Sequence, residues 1–344
     1  MTNARRTFHD EPRTAIVKRR IVTVPRSFAI ALVATLVLPA LFIGALVVDL
    51  VRWFARRVPF VAVRLVTFGW VFSLVEVLGL VRMFGVWIGA GFGRSETRLM
   101  ARTWPIQAWW AKTLLRFAQQ IFDLELEITG LEHARPGPIV AMFRHASILD
   151  NLLPAVLLQA RLGYELRWIL KRELLAITPL DVAGTRLPNH FVDRSGMDPR
   201  RELRAIRRLS AGLSENEGVL IFPEGTRYTP DRQRRMLVHL AQRDPALAER
   251  AKRLRHSMPP RPGGVLTLLD NGYDVVVCAH EGLDGFAKIS DLWGGGLVGR
   301  TITIELWRIP GDEIPPDRQG RLDWLYSTWQ TVDDWIGATR KSAV

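Results

Sequence analysis

The sequence predicts an α/β domain that follows an N-terminal, membrane-associated helical hairpin. Two observations support this prediction. An apolar run near the N-terminus is long enough to cross a lipid bilayer, and the second half of the chain alternates short apolar runs with helix-like segments. The chain has 344 residues, of which 48% are hydrophobic and 24% charged, so it can bury a large core and is neither disordered nor collagen-like.

The first apolar run, residues 28–48, contains no charged residue. As a helix it would be about 31 Å long, which is enough for the hydrocarbon core of a bilayer. A buried core helix and a cleaved signal peptide are the alternatives. A signal peptide fits poorly, because a long basic tail precedes the run and the run exceeds a usual signal-peptide core. We therefore interpret the run as a membrane segment.

The second apolar run, residues 65–81, is a poorer span, because Glu76 interrupts it and Arg82 follows it. Both a re-entrant hairpin and two full crossings remain open, and both leave the rest of the chain on the cytoplasmic side of a cell membrane. Basic residues that resist crossing flank the first run: Arg5, Arg6, Arg13, Lys18, Arg19, Arg20 and Arg26 before it, and Arg52, Arg56, Arg57 and Arg64 after it. The predicted domains are a basic cytoplasmic tail (1–26), membrane-anchoring hydrophobic helices (27–93) and the following domain (94–344).

A third segment, residues 99–122, mixes tryptophans with basic residues. A helix that lies among lipid head groups has this composition. A surface helix packed on the following domain would have it too, and the sequence leaves both open.

The second half of the chain predicts the α/β domain. Short apolar runs indicate strands, helix-like segments at 198–213 and 320–336 separate or follow them, and turn signals such as Asn271-Gly272 punctuate the pattern. The predicted strands are 124–129, 139–143, 219–222, 275–279 and 301–306.

The net charge of +13 predicts a negatively charged partner, which could be nucleic acid, anionic lipid or a phosphorylated substrate. Cys278 is the single cysteine, so the chain can form neither an internal disulfide nor a thiolate metal cluster. The histidines show no close metal-ligand spacing, and no metal or cofactor is expected.

His145 and Asp150 form the first candidate site. They follow the strand 139–143 at a predicted strand-to-helix junction. If Ser147 caps the helix, Asp150 lies in its first turn and can point back to hold His145 in one tautomer, as the acid of a catalytic triad does. His145 would then act as a general base. The alternative is a simple capping box beside an exposed histidine.

The second candidate site is the P-E-G-T-R sequence at 223–227, directly after the strand 219–222. Its glycine allows close backbone approach, and Arg227 supplies a forked cation that suits a phosphate. An ordinary turn with a solvated arginine remains the alternative for this segment alone.

Together the two segments resemble the glycerolipid acyltransferase family, typified by 1-acylglycerol-3-phosphate O-acyltransferase, whose blocks H-x-x-x-x-D and F-P-E-G-T-R occur in this order. The sequences K-R-E-L at 171–174 and F-V-D-R at 191–194 resemble two further blocks. The resemblance covers roughly 124–279. Arg144 stands where the family often has asparagine, and the strand 275–279 lacks the family's prolines.

The resemblance implies a central mixed sheet flanked by helices, and transfer of a fatty acyl group from acyl-CoA or acyl carrier protein to a lysoglycerophospholipid. The expected reaction converts 1-acylglycerol-3-phosphate to phosphatidate in phospholipid biosynthesis, at an anionic membrane and without nucleic acid. Another lysophospholipid acceptor, a hydrolase or a non-catalytic basic membrane-surface protein are the alternatives. The implied catalytic residues are His145 and Asp150, and the implied substrate-binding residues are Glu224, Gly225, Thr226, Arg227, Arg194 and Lys171.

Overall fold

The structure is a computed structural model that describes residues 11–192 and 198–342. The chain forms two compact units: Met1–Leu124, Ala155–Ala205 and Leu292–Gly299 make the first, and Glu125–Pro154, Ile206–Asp291 and Arg300–Val344 the second. The domain boundaries expected after residues 26 and 93 stay a prediction.

The described part contains nine α-helices and seven strands. In chain order they are α1 (Arg13–Arg56), α2 (Ala62–Gly89), α3 (Glu96–Phe122), β1 (Glu125–Thr129), β2 (Ile139–Phe143), β3 (Glu165–Lys171), α4 (Thr178–Gly184), β4 (His190–Val192), α5 (Pro199–Ser210), β5 (Glu217–Ile221), α6 (Pro230–Arg243), α7 (Pro245–Ala251), α8 (Pro262–Leu269), β6 (Asp274–Glu281), β7 (Thr301–Ile309) and α9 (Arg318–Ser342).

The predicted hairpin is formed by α1 and α2 in the first unit. Thr14–Arg56 and Ala62–Gly89 are both long and apolar enough to cross a membrane by length and composition. Buried Asp49 closes the hairpin, because its carboxylate accepts hydrogen bonds at 2.9–3.1 Å from the first backbone N–H groups of α2. These N–H groups have no partner within their own helix, so Asp49 both satisfies them and fixes the bend.

The first turns of α1 contact α4 and the residues just before it, within the first unit. Arg19 and Arg20 contact the fully buried carboxylate of Asp181 in α4, at 2.7 and 3.2 Å, and Arg26 donates to the carbonyl of Ala176. With 44 residues α1 is about 66 Å long, roughly twice the hydrocarbon core of a bilayer. Part of the basic segment 1–26, expected to be a cytoplasmic tail, is therefore helical and bonded to other residues of the first unit.

The segment with tryptophans, α3, is a buried helix of the first unit. It packs on α2 and on the π-helix Ala155–Arg161. Trp104, Leu114 and Phe122 lie on its buried face, while Arg102 and Lys112 are exposed. Burial against α2 therefore accounts for the tryptophan-rich face.

The second unit contains a mixed sheet in the order β1-β7-β6-β2-β5. Neighbouring strands are parallel where β1 meets β7, β2 meets β6 and β2 meets β5, while β6 and β7 are antiparallel. All five strands were predicted from apolar runs, and the predicted mixed α/β sheet is confirmed. In the first unit β3 and β4 form a parallel pair that the sequence did not predict, because β3 carries three charged residues and β4 has only three residues.

Helix α9 packs on this sheet through buried Trp329 and Ile336. Its Asp333 accepts hydrogen bonds from the backbone N–H groups of Arg255 and His256 and from the hydroxyl of Ser257, at 2.7–2.8 Å. The end of the chain therefore anchors the loop that precedes α8. The parallel strands β2, β5 and β6 end at one edge of the sheet, where their following loops meet.

Candidate active site

His145 and Asp150 are paired, as the sequence predicts. His145 Nδ1 lies 2.9 Å from Asp150 Oδ1 in the loop after β2. Asp150 is fully buried, and its Oδ2 also accepts the backbone N–H groups of Ala146 and Ser147 at 2.6 and 2.7 Å. The Asp150 carboxylate thus holds the backbone of the loop and the imidazole of His145 in place.

The expected helix cap at Ser147 is wrong. A 3-10 turn, Asp150–Leu152, follows the loop, and no α-helix begins at Ser147. The Ser147 hydroxyl donates to the carbonyl of Phe286 at 3.0 Å and accepts the N–H of Leu149 at 3.2 Å. Its buried hydroxyl therefore holds the loop to the segment after β6.

The pairing sets the chemistry of the imidazole. Burial alone would raise the pKa of Asp150, but the charge and hydrogen bond of His145 and the contact with His280 outweigh burial and hold this pKa below its usual value. An ionised Asp150 requires a proton on Nδ1, which leaves the Nε2 lone pair for a base. Nε2 forms no hydrogen bond with any residue in 11–192 or 198–342, and the ring packs on Phe222 with centroids 4.6 Å apart.

A second histidine also contacts Asp150. His280, fully buried in β6, has its Nε2 3.5 Å from Asp150 Oδ2 and 3.2 Å from the carbonyl of Arg144. Sequence reasoning missed it, although it directly follows the apolar run of a strand that lies beside β2. A polar residue at the end of a buried parallel strand was the available signal.

Glu224 connects the two motifs. The side chain is fully buried, and its two carboxylate oxygens accept the backbone N–H groups of His145 at 3.0 Å and Met258 at 3.1 Å. Burial raises the pKa of Glu224 to about 8, against the opposing effect of Arg144 and of the two N–H donors. The buried Glu224 side chain therefore holds the two loops together, and its expected place among the substrate-binding residues stays a prediction.

The P-E-G-T-R turn wraps around the histidine loop. The N–H of Tyr228, directly after the turn, donates to the carbonyl of His145 at 2.8 Å. Gly225 adopts a φ of +65°, which glycine tolerates best, but its N–H donates to Phe222 and is not free. Thr226 is partly exposed, and neither its N–H nor its hydroxyl has a partner in the described part of the chain.

Arg227 lies at the end of this turn and is half-buried. One guanidinium nitrogen donates to the carbonyl of Ala287, whereas the buried Nε has no partner among the described residues. Desolvation lowers the pKa of Arg227, Asp150 opposes this and Arg232 adds to it. A phosphate would supply the missing negative charge and accept the remaining N–H groups.

Arg144 does not add free positive charge to the site. The side chain is fully buried and makes a bidentate ion pair with Asp284 at 2.6 and 2.9 Å. Arg340, near the end of α9, contacts the same carboxylate at 2.7 Å. Sequence reasoning missed Asp284 and Arg340, because no motif links residues so far apart in the chain.

The two remaining predicted residues are Lys171 and Arg194. Lys171 is the last residue of β3, in the first unit, and is partly buried. Arg194 lies outside the described residues. Among the residues that are described, no group of three or more histidine, cysteine or carboxylate side chains could hold a metal ion. The thiol of Cys278 is fully buried in β6, and burial raises its pKa well above the usual value.

Residues 125–279 match the family model described as Acyltransferase. The match covers less than half of the chain. The resemblance inferred from the motifs is thereby confirmed at the level of the family. The crystal structure of PlsC, a 1-acyl-sn-glycerophosphate (LPA) acyltransferase from Thermotoga maritima, is similar to this chain with a TM-score of 0.47 and 13% sequence identity, over 78% of this chain and 98% of that chain. A search of curated proteins finds no match.

The matched region, residues 125–279, contains both motifs, but the surrounding cluster extends beyond it. His145, Asp150, Glu224 and Arg227 lie within 125–279, whereas His280 follows its last residue directly. Asp284 and Arg340 lie further along the chain. Three side chains that support Asp150 or Arg144 therefore belong to the part of the chain after the family match: His280, Asp284 and Arg340.

Proposed function

We propose that this protein transfers a fatty acyl group from a thioester donor to a hydroxyl of a phosphate-bearing lysoglycerolipid. The observation that carries the proposal is the His145–Asp150 pair, whose loop is bonded through Glu224 and Tyr228 to the turn that holds Arg227. A candidate general base and a cation whose Nε has no partner among the described residues therefore lie in the same matched region. That combination suits an acceptor with a hydroxyl to activate and a phosphate to bind.

In the proposed mechanism, Nε2 of His145 removes the proton from the acceptor hydroxyl as its oxygen attacks the thioester carbonyl. Asp150 stabilises the imidazolium that forms. The tetrahedral intermediate then collapses, the carbon–sulfur bond breaks, and the imidazolium returns the proton to the departing thiolate. The products are an ester and a free thiol, and no acyl-enzyme is formed.

Arg227 binds the acceptor phosphate in this proposal, with Thr226 as a further donor, and Arg194 and Lys171 as assisting cations. A fixed phosphate positions the hydroxyl for attack, which is worth far more than binding alone because it removes orientational freedom. Acyl-CoA and acyl carrier protein are the proposed donors, and 1-acylglycerol-3-phosphate is the proposed acceptor, giving phosphatidate.

We further propose that α1 and α2 hold the enzyme at a cell membrane with its domain on the cytoplasmic side. Their large exposed apolar residues, for example Leu36, Phe42 and Phe84, fit contact with lipid chains. Both substrates and the product carry acyl chains, so a membrane location brings the enzyme to its acceptor.

The test measures transfer of labelled acyl groups from acyl-CoA to 1-acylglycerol-3-phosphate by the detergent-solubilised protein. His145→Ala should abolish product, while His239→Ala, an exposed histidine of α6, should behave as wild type. Labelled free fatty acid without lipid product would indicate a hydrolase. Product from other lysophospholipids only would retain the reaction and replace the acceptor.

A further inference from the structure

The segment 258–261 is attached to the P-E-G-T-R turn by hydrogen bonds from two of its backbone N–H groups. The N–H of Met258 donates to Glu224 at 3.1 Å, and the N–H of Arg261 donates to the carbonyl of Pro223 at 2.8 Å. Met258 is almost fully buried. The backbone of Arg261 is therefore fixed beside the turn, while the same Glu224 carboxylate also holds the N–H of His145.

The side chain of Arg261 lies directly over Gly225. A Cβ atom at Gly225 would come within 3.0 Å of Arg261 Cδ and 3.2 Å of Nε. Glycine at this position therefore serves a second purpose besides its φ of +65°: it makes room for an arginine from another loop. The turn thus carries Arg227 in its own sequence and Arg261 on its surface.

The Arg261 side chain is unpaired in the described part of the chain. Its side chain is exposed, and its guanidinium forms no hydrogen bond or ion pair with any residue that the structure describes. The carboxyl group of the turn itself, that of Glu224, is buried and accepts hydrogen bonds from backbone N–H groups. The described residues therefore supply no counter-ion to the Arg261 guanidinium, whereas Arg144, Arg308 and Arg340 of the same unit are ion-paired.

We propose that Arg261 is a second phosphate-binding residue, which acts together with Arg227 across Gly225. This inference rests on the proposed function, since it assigns a ligand to a cation beside the same turn. The ligand chemistry is a phosphate group, and two sources carry it: the phosphate monoester of the lysolipid acceptor and the phosphates of coenzyme A. A guanidinium suits either, because its fork donates two parallel hydrogen bonds to phosphate oxygens.

The test compares Arg261→Gln, Arg261→Lys and the control Arg235→Gln, an exposed arginine of α6. KM is measured separately for 1-acylglycerol-3-phosphate and for acyl-CoA. Loss of one charge-assisted hydrogen bond should raise KM for one substrate about tenfold in Arg261→Gln. Arg261→Lys should recover part of this loss, because lysine keeps the charge without the fork.

A raised KM for the acceptor alone assigns the phosphate monoester, and a raised KM for acyl-CoA alone assigns the donor phosphates. If the donor phosphates are the ligand, KM for acyl-pantetheine, which lacks the nucleotide phosphates, should not change in Arg261→Gln. Unchanged KM values for both substrates in Arg261→Gln, with the control also unchanged, would overturn the inference while leaving the proposed function intact. Failure of the wild type to transfer acyl groups to any lysolipid would instead contradict the proposed function.

Discussion

Asp284 accepts two hydrogen bonds from the guanidinium of Arg144, at 2.6 and 2.9 Å. Arg144 immediately precedes His145 and is fully buried. Arg340 contacts the same carboxylate from α9. A buried cation next to the proposed base is thus neutralised by residues that follow the matched region 125–279. Arg144 also donates to the carbonyls of His280 and His256, so the pair fixes three segments at once.

We expect Asp284→Ala to destabilise the second unit strongly. Removal of the carboxylate leaves Arg144 buried without its counter-ion, and breaking a buried pair in this way costs about 3–5 kcal/mol. The apparent midpoint of thermal unfolding in detergent would measure the loss. Asp323→Ala removes the acid of an exposed pair with Arg250 and should leave the midpoint near that of the wild type. Equal midpoints for the two variants would contradict the structural role of Asp284.

Asp284 also predicts a pH dependence of stability. Burial alone would raise its pKa, but the ion pairs with Arg144 and Arg340 outweigh burial and lower it to about 2. Because this value lies below the unfolded pKa of about 3.9, the carboxylate stabilises the fold fully above that pH, and about 2 kcal/mol of this stabilisation is lost as the pH falls toward 2.

Comparison with Asp284→Asn isolates this effect from those of other carboxylates. The gap between the unfolding midpoints of wild type and variant should be constant between about pH 5 and pH 7 and should narrow below about pH 4. A gap that keeps its full size at about pH 3 would show that the Asp284 carboxylate is not held at a low pKa.

Asp150→Asn should lower kcat by about a thousandfold with little change in KM for either substrate. An asparagine amide can present N–H to His145 Nδ1 and so favour the wrong tautomer, as the corresponding change does in a serine protease triad. The amide oxygen can still accept from Ala146 and Ser147, so the loop should keep its conformation. Steady-state kinetics at saturating acceptor would detect the change, and a variant with wild-type kcat would remove Asp150 from the mechanism.

Ser147→Ala should retain most of the activity and lose some stability. The buried hydroxyl bonds to the carbonyl of Phe286, and such a bond contributes about 1 kcal/mol. Acyl transfer and the unfolding midpoint, measured on one preparation, separate the two effects. Abolished turnover in a folded Ser147→Ala protein would instead indicate a covalent nucleophile.

Arg227→Lys should mainly raise KM for the phosphate-bearing acceptor, because lysine keeps the charge but lacks the fork of N–H donors. The matched control is Arg232→Lys, which changes a neighbouring arginine that donates to the carbonyl of Arg227. An unchanged KM for the acceptor in Arg227→Lys would argue against phosphate binding at this position.

The sequence supplied the local part of the site. His145 and Asp150 lie five residues apart, and Pro223 to Arg227 form one turn. Because each motif lies within a short stretch of the chain, both could be predicted from side-chain chemistry and spacing. The five strands of the second unit were equally visible, because buried strands such as β2 and β5 are continuous apolar runs. The short strand β4 and the charged strand β3 were not, because pairing rather than apolar patterning defines them.

The local features of this protein therefore follow from its sequence, whereas the long-range contacts of the site follow from its tertiary structure. The sequence by itself determined the apolar hairpin, the α/β pattern and the identity of the two motifs, since these depend on periodicity and on residues close together in the chain. Only the tertiary structure decided that Glu224 joins the motifs, that Asp284 and Arg340 neutralise Arg144, and that Arg261 lies over Gly225. The physical reason is that sheet register and loop packing bring together groups tens to hundreds of residues apart, and no local pattern encodes which of many charged residues will meet.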